Sequence, residues 1–399
     1  MRECIRIWAI FPYKFMKIAI ASSGLSHITR GMEGWSEDIS RGLKDRGIDV
    51  TLFKGSGPRR ANYEKVLPTF RRNKTPARVF GRLTSKGLWR IGLGSPLGIE
   101  TFFFGLQLIA HLRKGFDLVH LKQASLASFL LNAKRMGIID LPIVLSNGQI
   151  ANEDFLGRCD YVQHLTPCME RADCNAADMG KIPSNRFVIP NFIDTALFVP
   201  IDRKMCRKRL GLPEDDFIIL SAGTVRRYHK RMDYFIQEMH ELMSSGRDRV
   251  HAVIAGARDP ETEEIVKMGQ ERLGERLTIL TDVPRHEMPY LYNAADVFVL
   301  CSLLEAFGTV LIEAMSCNVP VICHDHPSFR WIVQSSGFHI DMAREGSLKE
   351  ALSTCMENHA AGPNSLEGRQ RVLVEFSRDI VVEKMIGMYR KILSDRGKQ

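Results

Sequence analysis

Two glutamates with seven residues between them are the first candidates for chemistry in this chain. Glu305 and Glu313 follow a short apolar run at 296–301, which predicts a buried parallel strand. Gly308 allows a ligand to approach the backbone closely, and the residues after it favour a helix whose first amides bind anions. Carboxylates beside those amides can accept hydrogen bonds from sugar or ribose hydroxyls. The segment predicts a sugar-phosphate site; the alternative is a helix-cap acid followed by a solvated helix acid.

Short apolar runs alternate with helix-forming stretches along most of the chain. This pattern predicts an α/β fold with two mostly parallel, doubly wound sheets. A polar segment bounded by prolines, 191–200, is typical of a linker between them. The Gly31–Gly34 spacing is not GxGxxG, which disfavours nicotinamide chemistry. The strands are predicted at 17–21, 50–53, 116–120, 142–146, 161–165, 217–222, 250–255, 277–280, 297–300 and 319–323, with helices at 35–46, 232–243 and 377–393.

The length and composition indicate a globular protein with two domains. Its 399 residues are 45% hydrophobic and 25% charged, and no apolar run reaches the roughly 18 residues of a membrane span. The first fifteen residues lack the pattern of a secretory signal, and both Met1 and Met16 are candidate starts. Nine cysteines without a CxxC pair predict reduced thiols in a cytoplasmic protein. Neither the Cys159–Cys174 region nor His324–His326 has the spacing of a metal site.

The net charge of +9 is concentrated between residues 58 and 90. Aromatic residues interleave with these charges, which fits contact with an anionic lipid surface or a loop that holds an anionic acceptor. No nucleic-acid motif accompanies the segment, so nucleic acid is not expected as a partner. A solvated basic loop is the simplest alternative. The segment contains a single acid, Glu64, and ten basic residues: Arg59, Arg60, Lys65, Arg71, Arg72, Lys74, Arg78, Arg82, Lys86 and Arg90.

The glutamate pair and its surroundings resemble the E-x7-E motif of family-4 glycosyltransferases, retaining enzymes that transfer a sugar from a nucleoside diphosphate. The match is good over 301–321. The resemblance implies that Glu313 holds the ribose hydroxyls and that Glu305 lies beside the donor sugar. It also implies that the amides of Phe307, Gly308 and Thr309 meet sugar hydroxyls and phosphate.

The resemblance extends over 16–393, closely in the second lobe and loosely in the first, and implies the GT-B architecture, two Rossmann-like lobes facing across a cleft. The N-terminal, acceptor-side domain is expected to span 16–195. The C-terminal helix, 377–399, is expected to pack back on it. Residues 196–376 are expected to form the nucleotide-sugar-binding domain.

The segment 223–230, GTVRRYHK, offers cations for the leaving group. Negative charge builds on the bridging oxygen of the departing diphosphate, and fixed cations can stabilise it. Lys230 matches the lysine of the family, but Thr224 stands where an arginine usually follows Gly223. Arg226 or Arg227 must therefore serve, and Arg226 is favoured. No DxD-like motif follows a strand, so no metal cofactor is expected.

Several other positions are further candidates for the site. Asn147 stands where relatives often have a histidine, and an asparagine can donate hydrogen bonds but cannot transfer a proton near neutral pH. Ser23, Gly24 and Gly31 are assigned to the loop after the first strand, where acceptor or phosphate approaches; the glycines are equally plain turn residues. Thr281–Val283 resembles the stretch of the family whose backbone contacts the nucleobase. Arg330 lies near the position where many relatives have an acidic residue.

The expected function is a retaining glycosyltransferase that acts on a glycan or lipid-linked acceptor in surface polysaccharide or glycoconjugate synthesis. It is expected in the cytoplasm, at the inner face of the membrane. A catalytically silent nucleotide-sugar or anionic-polymer binding protein is the main alternative. An epimerase or phosphorylase of similar fold, and a membrane-surface scaffold, are others. The donor sugar and base, the acceptor, the linkage and the oligomeric state stay open.

Overall fold

A computed structural model describes residues 16–28, 31–75, 93–148, 151–169, 183–357 and 365–397. These residues form two compact units. The N-terminal unit holds the described residues up to Leu165, the stretch that ends at Ile189, and those from Val382 onwards. The C-terminal unit holds Pro190–Val381 together with the described residues from Thr166 to Met169. Both are α/β units, which confirms the predicted fold class.

The N-terminal unit is built on a sheet of seven described strands, all parallel, in the order β3-β2-β1-β4-β5-β6-β7. Apolar residues fill the central strands because helices cover both faces of such a sheet. Its strands are β1 (Lys17–Ser22), β2 (Asp49–Lys54), β3 (Glu64–Val66), β4 (Leu118–Leu121), β5 (Ile143–Ser146), β6 (Tyr161–His164) and β7 (Arg186–Val188). Its helices are α1 (Gly31–Asp45), α2 (Pro96–Leu112), α3 (Ala124–Arg135) and α4 (Glu153–Leu156).

The C-terminal unit repeats this arrangement with six described parallel strands in the order β10-β9-β8-β11-β12-β13. The strands are β8 (Phe217–Ala222), β9 (Val250–Gly256), β10 (Leu277–Thr281), β11 (Val297–Leu300), β12 (Val321–His324) and β13 (Gly337–Ile340). The helices are α5 (Arg203–Leu210), α6 (Met232–Ser244), α7 (Thr262–Leu273), α8 (Met288–Ala294), α9 (Thr309–Ser316), α10 (Pro327–Val333), α11 (Ser347–Glu357) and α12 (Ser365–Arg371).

Each sheet has a point where the strand order reverses. In the N-terminal unit β1 lies between β2 and β4, and in the C-terminal unit β8 lies between β9 and β11. Loops at the carboxyl ends of strands on either side of such a point diverge to opposite faces and leave space for a ligand. A ligand site in the C-terminal unit is therefore expected at the reversal between β8 and β11.

The last described helix, α13 (Arg378–Arg396), begins in the C-terminal unit and ends in the N-terminal unit. In the N-terminal unit the Tyr389 hydroxyl lies 2.7 Å from Nδ1 of His120 on β4. Glu383 forms an ion pair of 2.5 Å with Arg46, and the Lys391 ammonium lies over the Phe187 ring. This part of α13 therefore packs beside the first sheet.

Two expectations about local structure are wrong. Gly31 does not lie in the loop after β1 but begins α1, four residues before the predicted start of that helix. Cys168 is disulfide-bonded, so the prediction of nine reduced thiols fails there. The free cysteines among the described residues are Cys159, Cys206, Cys301, Cys317, Cys323 and Cys355.

Candidate active site

The loops after β8 and β11 meet because their strands are neighbours, with Val299 of β11 paired to Ser221 of β8. Lys230 in the first loop donates a hydrogen bond to Oε1 of Glu305 in the second, and the two side chains form an ion pair. Both side chains are mostly buried, at 15% and 13% exposure. The structure thus brings together two of the residues predicted from sequence.

Glu305 is held as a carboxylate by its surroundings. The Ser302 hydroxyl donates to the same Oε1 atom at 2.7 Å. Burial acts to raise the pKa of Glu305, but the charge and hydrogen bonds of Lys230 and Ser302 outweigh it, and the pKa is lowered. An ionised Glu305 can accept hydrogen bonds from a ligand but cannot act as a proton donor near neutral pH.

Lys230 sits in a constrained turn. The residues on either side of it, His229 and Arg231, both have positive φ, 74° and 52°. Such backbone is uncommon for residues other than glycine and persists where surrounding contacts impose it. A Cβ at Gly223 would lie 3.1 Å from Cδ of Lys230, so glycine leaves room for the lysine stem. The turn therefore directs Lys230 to Glu305.

His229 is a member of this cluster that the sequence reasoning missed. Burial lowers its pKa, with Lys230 and Arg226 acting in the same direction and Glu305 in the opposite one. The charges of these three groups therefore act on the imidazole. The only available sequence signal was its position next to Lys230.

The helix α9 starts at the other side of the β11 loop. Gly308 caps it in the left-handed region with φ of 80°, a conformation that glycine adopts at no steric cost. The preceding Phe307 is buried at 2% exposure and packs against Phe376 at a ring-centroid distance of 5.7 Å. The Thr309 hydroxyl lies 3.3 Å from the Asn191 side-chain amide. These contacts fix the first turn of α9 at the sheet edge.

Glu313 lies in the second turn of α9 and has a buried partner from α8. The Tyr292 hydroxyl donates to its Oε2 atom at 2.7 Å, and Tyr292 is fully buried. Burial and the adjacent carboxylate raise the pKa of Tyr292 well above its ordinary value, so the phenol stays a donor. Tyr292 was not predicted from sequence, because α8 carries no polar motif that would distinguish it from a core tyrosine.

The two candidate arginines point to different partners. Arg226 lies 3.4 Å from Asp259 through Nη1, and its buried Nε has no hydrogen-bond partner among the described residues. Arg227 is 47% exposed at its side chain, and its Nη2 lies 3.8 Å from Glu264 at the start of α7. Of these two arginines, only Arg226 contributes to the pKa shift of His229.

The predicted nucleobase stretch begins at the end of β10. Thr281 pairs with Gly256, the last residue of β9. Asp282 has a φ of 57°, and its amide donates to the Gly256 carbonyl at 2.8 Å. Val283, the next residue, is partly exposed. The backbone at this corner is therefore fixed by the neighbouring strand.

The predicted residues of the N-terminal unit lie at the carboxyl edge of the first sheet. Asn147 is 3% exposed, and its side-chain oxygen accepts from the Ala151 amide at 3.4 Å. The Ser23 hydroxyl donates to buried Glu100 at 2.7 Å. A Cβ at Gly24 would lie 2.5 Å from the Arg72 guanidinium, so a larger residue cannot be accommodated without a shift.

A buried lysine at the same edge escaped the sequence reasoning. Lys122 follows β4, is 5% exposed, and its ammonium lies 4.8 Å from the centre of the Trp35 ring. Burial lowers the pKa of Lys122 to about 7, although the nearby carboxylate of Glu33 acts in the opposite direction. An isolated lysine in an apolar stretch gives no signal of this kind in sequence.

The basic segment is described only in part. Arg72 lies 2.8 Å from Glu100 in a buried ion pair, so its charge is used inside the unit. Arg59, Arg60, Lys65, Arg71 and Lys74 are also described, whereas Arg78, Arg82, Lys86 and Arg90 lie outside the described residues.

The remaining predictions concern metal and membrane. His324 and His326 flank Asp325, which binds Arg330 through an Nη2–Oδ2 contact of 2.6 Å. Across the described parts of the chain, no group of three or more His, Cys, Asp or Glu side chains could hold a metal ion. None of the described helices is long and apolar enough to cross a membrane.

Comparison with known proteins finds a family model that matches part of the chain. Residues 202–370 match the model described as "Glycosyl transferases group 1". The chain is 25% identical over 234 residues to D-inositol 3-phosphate glycosyltransferase 1 of Catenulispora acidiphila, and the alignment covers 56% of each protein. The chain thus spans about half the length of this relative.

Two solved structures share the fold. Sucrose-phosphate synthase from Thermosynechococcus elongatus superposes with a TM-score of 0.77 at 19% identity, covering 95% of this chain and 100% of that one. Anabaena Alr3699/HepE in complex with UDP and glucose gives 0.71 at 17% identity, covering 94% and 99%. The α/β fold is therefore the GT-B architecture, and its C-terminal unit contains the residues that match a glycosyl transferase family.

Proposed function

We propose that the chain is a retaining glycosyltransferase that moves a sugar from a nucleoside diphosphate to a glycan or lipid-linked acceptor. The observation that carries the proposal is the ion pair of Lys230 with Glu305 at the reversal point of the second sheet. It lies inside the residues that match the family model, 202–370. A cation, an ionised carboxylate and a helix N-terminus at one sheet edge suit a donor with both phosphates and hydroxyls.

In this reaction Lys230 and Arg226 stabilise the departing diphosphate. Charge that develops on the bridging oxygen is stabilised best by donors that are already oriented. The turn around Lys230 supplies such an orientation, and the unsatisfied Nε of Arg226 gains an acceptor when a phosphate oxygen binds. Fixed cations then do the work for which other enzymes use a metal, so the proposed reaction is independent of metal.

The donor is held by α9 and its neighbours. Glu313 accepts hydrogen bonds from the ribose hydroxyls, with the buried Tyr292 hydroxyl fixing one of its oxygens. The first amides of α9, from Phe307 to Thr309, face the sugar and phosphate, and Glu305 accepts from a sugar hydroxyl. Gly223 and Arg227 border the diphosphate, and the backbone at Thr281 and Val283 contacts the base.

For proton transfer, the proposed mechanism needs no base from the protein. In a front-face displacement the departing phosphate oxygen takes the proton of the acceptor hydroxyl, and the new bond forms on the face that the leaving group vacates. Asn147 then orients a hydroxyl and transfers no proton, which fits its bond to the Ala151 amide. Gly24 and the adjacent Ser23 border the acceptor in the N-terminal unit.

The acceptor proposal rests on charge. Positively charged side chains at Arg59, Arg60, Lys65, Arg71 and Lys74 fit an anionic acceptor or an anionic lipid surface. The aligned relative carries an anionic compound, D-inositol 3-phosphate, in its name. These observations support the proposal of a role in surface polysaccharide or glycoconjugate synthesis, in the cytoplasm at the inner face of the membrane.

Thermal unfolding with UDP, GDP, ADP and their common sugar conjugates tests the donor site. A ligand at a hundred times its dissociation constant adds about 2.7 kcal/mol of stability, which gives a clear rise in melting temperature. We expect a rise with one nucleotide, lost in Glu313→Ala and kept in Glu271→Ala, a change at an exposed acid of α7. No rise with any of them contradicts the proposal.

The retaining outcome needs a second measurement. Slow transfer to water or to a screened acceptor, followed by proton NMR of the anomeric signal, gives the configuration of the product. The proposal predicts the same configuration as in the donor. An inverted product contradicts it, and binding of the nucleotide without any turnover identifies the silent binding protein instead.

A further inference from the structure

A pocket of about 610 Å³ lies beside the candidate active site in the C-terminal unit. Its volume is within the range of roughly 300–1,000 Å³ typical of ligand sites. The loop after β8 forms one wall, and the first turns of α6 and α7 form the other. Lys230 and Glu305 are not among its lining residues, but the adjacent His229 is, so the pocket borders the donor cluster. The charged lining residues are Arg227, Arg231, Asp233, Glu261 and Glu264, and the rings of Tyr228, His229 and Tyr234 complete the lining.

The charges of this lining nearly cancel. Three carboxylates face two guanidinium groups, so the pocket does not favour a strongly charged ligand of either sign. Carboxylate and guanidinium groups are planar, and each offers several acceptors or donors to a neighbouring pair of hydroxyls. A neutral ligand rich in hydroxyl groups is the chemistry that such a lining recognises.

Tyr228 supplies an apolar surface for the same ligand. Its side chain is large and apolar over most of its area, yet the residue is 77% exposed. The backbone that carries it is fixed, because the amides of Arg227 and Tyr228 donate to Oε2 of Glu261 at 2.7 and 3.3 Å. The negative face of an aromatic ring attracts C–H groups, and the apolar face of a sugar ring presents several of them.

Contacts within the unit also position the two arginines. Arg231 lies over the Tyr234 ring at 4.2 Å and donates to the Met342 carbonyl. Arg227 lies beside Glu264 at 3.8 Å. Each guanidinium has five N–H donors, and these contacts orient it without using all of them. The pocket is therefore preorganised to donate and to accept hydrogen bonds.

We propose that this pocket is a carbohydrate-binding site that holds a neutral sugar unit of a glycan, with the ring stacked on Tyr228. Its acids and arginines bind the hydroxyl groups of that unit. This inference goes beyond the proposed transfer reaction, although the pocket shares Arg227 with the proposed donor site.

An array of neutral gluco-, galacto- and manno-oligosaccharides, printed beside anionic glycans, tests the proposal with the full chain and no nucleotide. We expect binding to neutral oligosaccharides, about tenfold weaker in Tyr228→Ala and retained in Tyr228→Phe, which keeps the ring. Phe70→Ala, a change at an aromatic side chain of the N-terminal unit that is 44% exposed, is the matched control and should bind like the parent.

The outcomes separate this site from the donor site. Tyr228→Ala should keep the rise in melting temperature with nucleotide, which shows that it is folded and that its donor site is intact. The proposal is overturned if no neutral oligosaccharide binds, if only anionic glycans bind, or if Tyr228→Ala binds as tightly as the parent. Loss of the nucleotide response in the parent contradicts the transfer reaction alone.

Discussion

The side chains of Lys230 and Glu305, 75 residues apart in sequence, form an ion pair where β8 and β11 end side by side. Each residue is held by its own loop, Lys230 by a turn with positive φ on both sides and Glu305 by the hydroxyl of Ser302. The pair is therefore in place before any donor binds. This preorganisation leads to the first prediction.

Lys230→Ala should lower turnover far more than affinity for the bare nucleoside. Removing one preorganised donor to a developing charge lowers kcat by about 10²–10³, whereas a nucleoside without phosphates does not meet the ammonium. Steady-state rates and calorimetry with nucleoside and nucleoside diphosphate measure the two effects. Lys267→Ala, at a lysine side chain with 78% exposure, is the control. Turnover equal to that of the parent would remove Lys230 from the mechanism.

Tyr292→Phe should weaken the donor site without disturbing the core. The change removes only the hydroxyl that donates to Glu313, and a hydrogen bond to a charged group contributes about 1.5–3 kcal/mol. We expect a loss of stability of this size in urea unfolding and a weaker nucleotide response in thermal melting. A variant as stable as the parent would show that water replaces the phenol.

Gly308 and Gly387 offer a matched pair of glycine substitutions. Gly308→Ala places a Cβ on a residue with φ of 80° and 3.2 Å from Leu311 Cδ1, so it should destabilise by about 1–2 kcal/mol. A Cβ at Gly387, inside α13, meets nothing within 4 Å, so Gly387→Ala should stabilise by roughly 0.5–1 kcal/mol. Opposite shifts in denaturant midpoint are expected; shifts of the same sign would contradict the conformation at Gly308.

Lys122 should make stability rise with pH above neutrality. Its pKa is about 7 in the fold against an ordinary 10.5, so between these values the unfolded chain binds a proton that the folded chain does not. The free energy of unfolding then increases with pH by up to about 1.4 kcal/mol per unit across this window. Lys122→Met should remove that slope, and Lys267→Met should keep it. Parallel curves for both variants would mean that Lys122 titrates normally.

The main strands were predictable from sequence because they are short apolar runs. The run at 297–300 was assigned with the bounds that the structure has. Two strands were missed: β3 and β13 have three or four residues each, and most of these are partly exposed. Such strands lack a continuous apolar run and form by pairing with a neighbouring strand. The periodicity of the sequence does not reveal that pairing.

The sequence patterns identified residues of the site but not the contacts between them. Lys230 and Glu305 were identified separately, but their ion pair depends on β8 and β11 being neighbours, which is a property of the sheet. Tyr292 was missed for the same reason, because its role in the site depends on its contact with Glu313. The sequence assigns Arg72 to a basic surface segment, but in the structure Arg72 forms an ion pair with the buried Glu100.

The course of α13 has a consequence for synthesis on the ribosome. Residues of the N-terminal unit up to Ile189 emerge first, but Tyr389 and Glu383, which contact His120 and Arg46 of that unit, emerge after the C-terminal unit. Domains usually fold in the order in which they emerge. Here the C-terminal unit leaves the ribosome as one nearly continuous stretch. It can therefore complete its fold before the part of α13 that packs on the N-terminal unit has emerged.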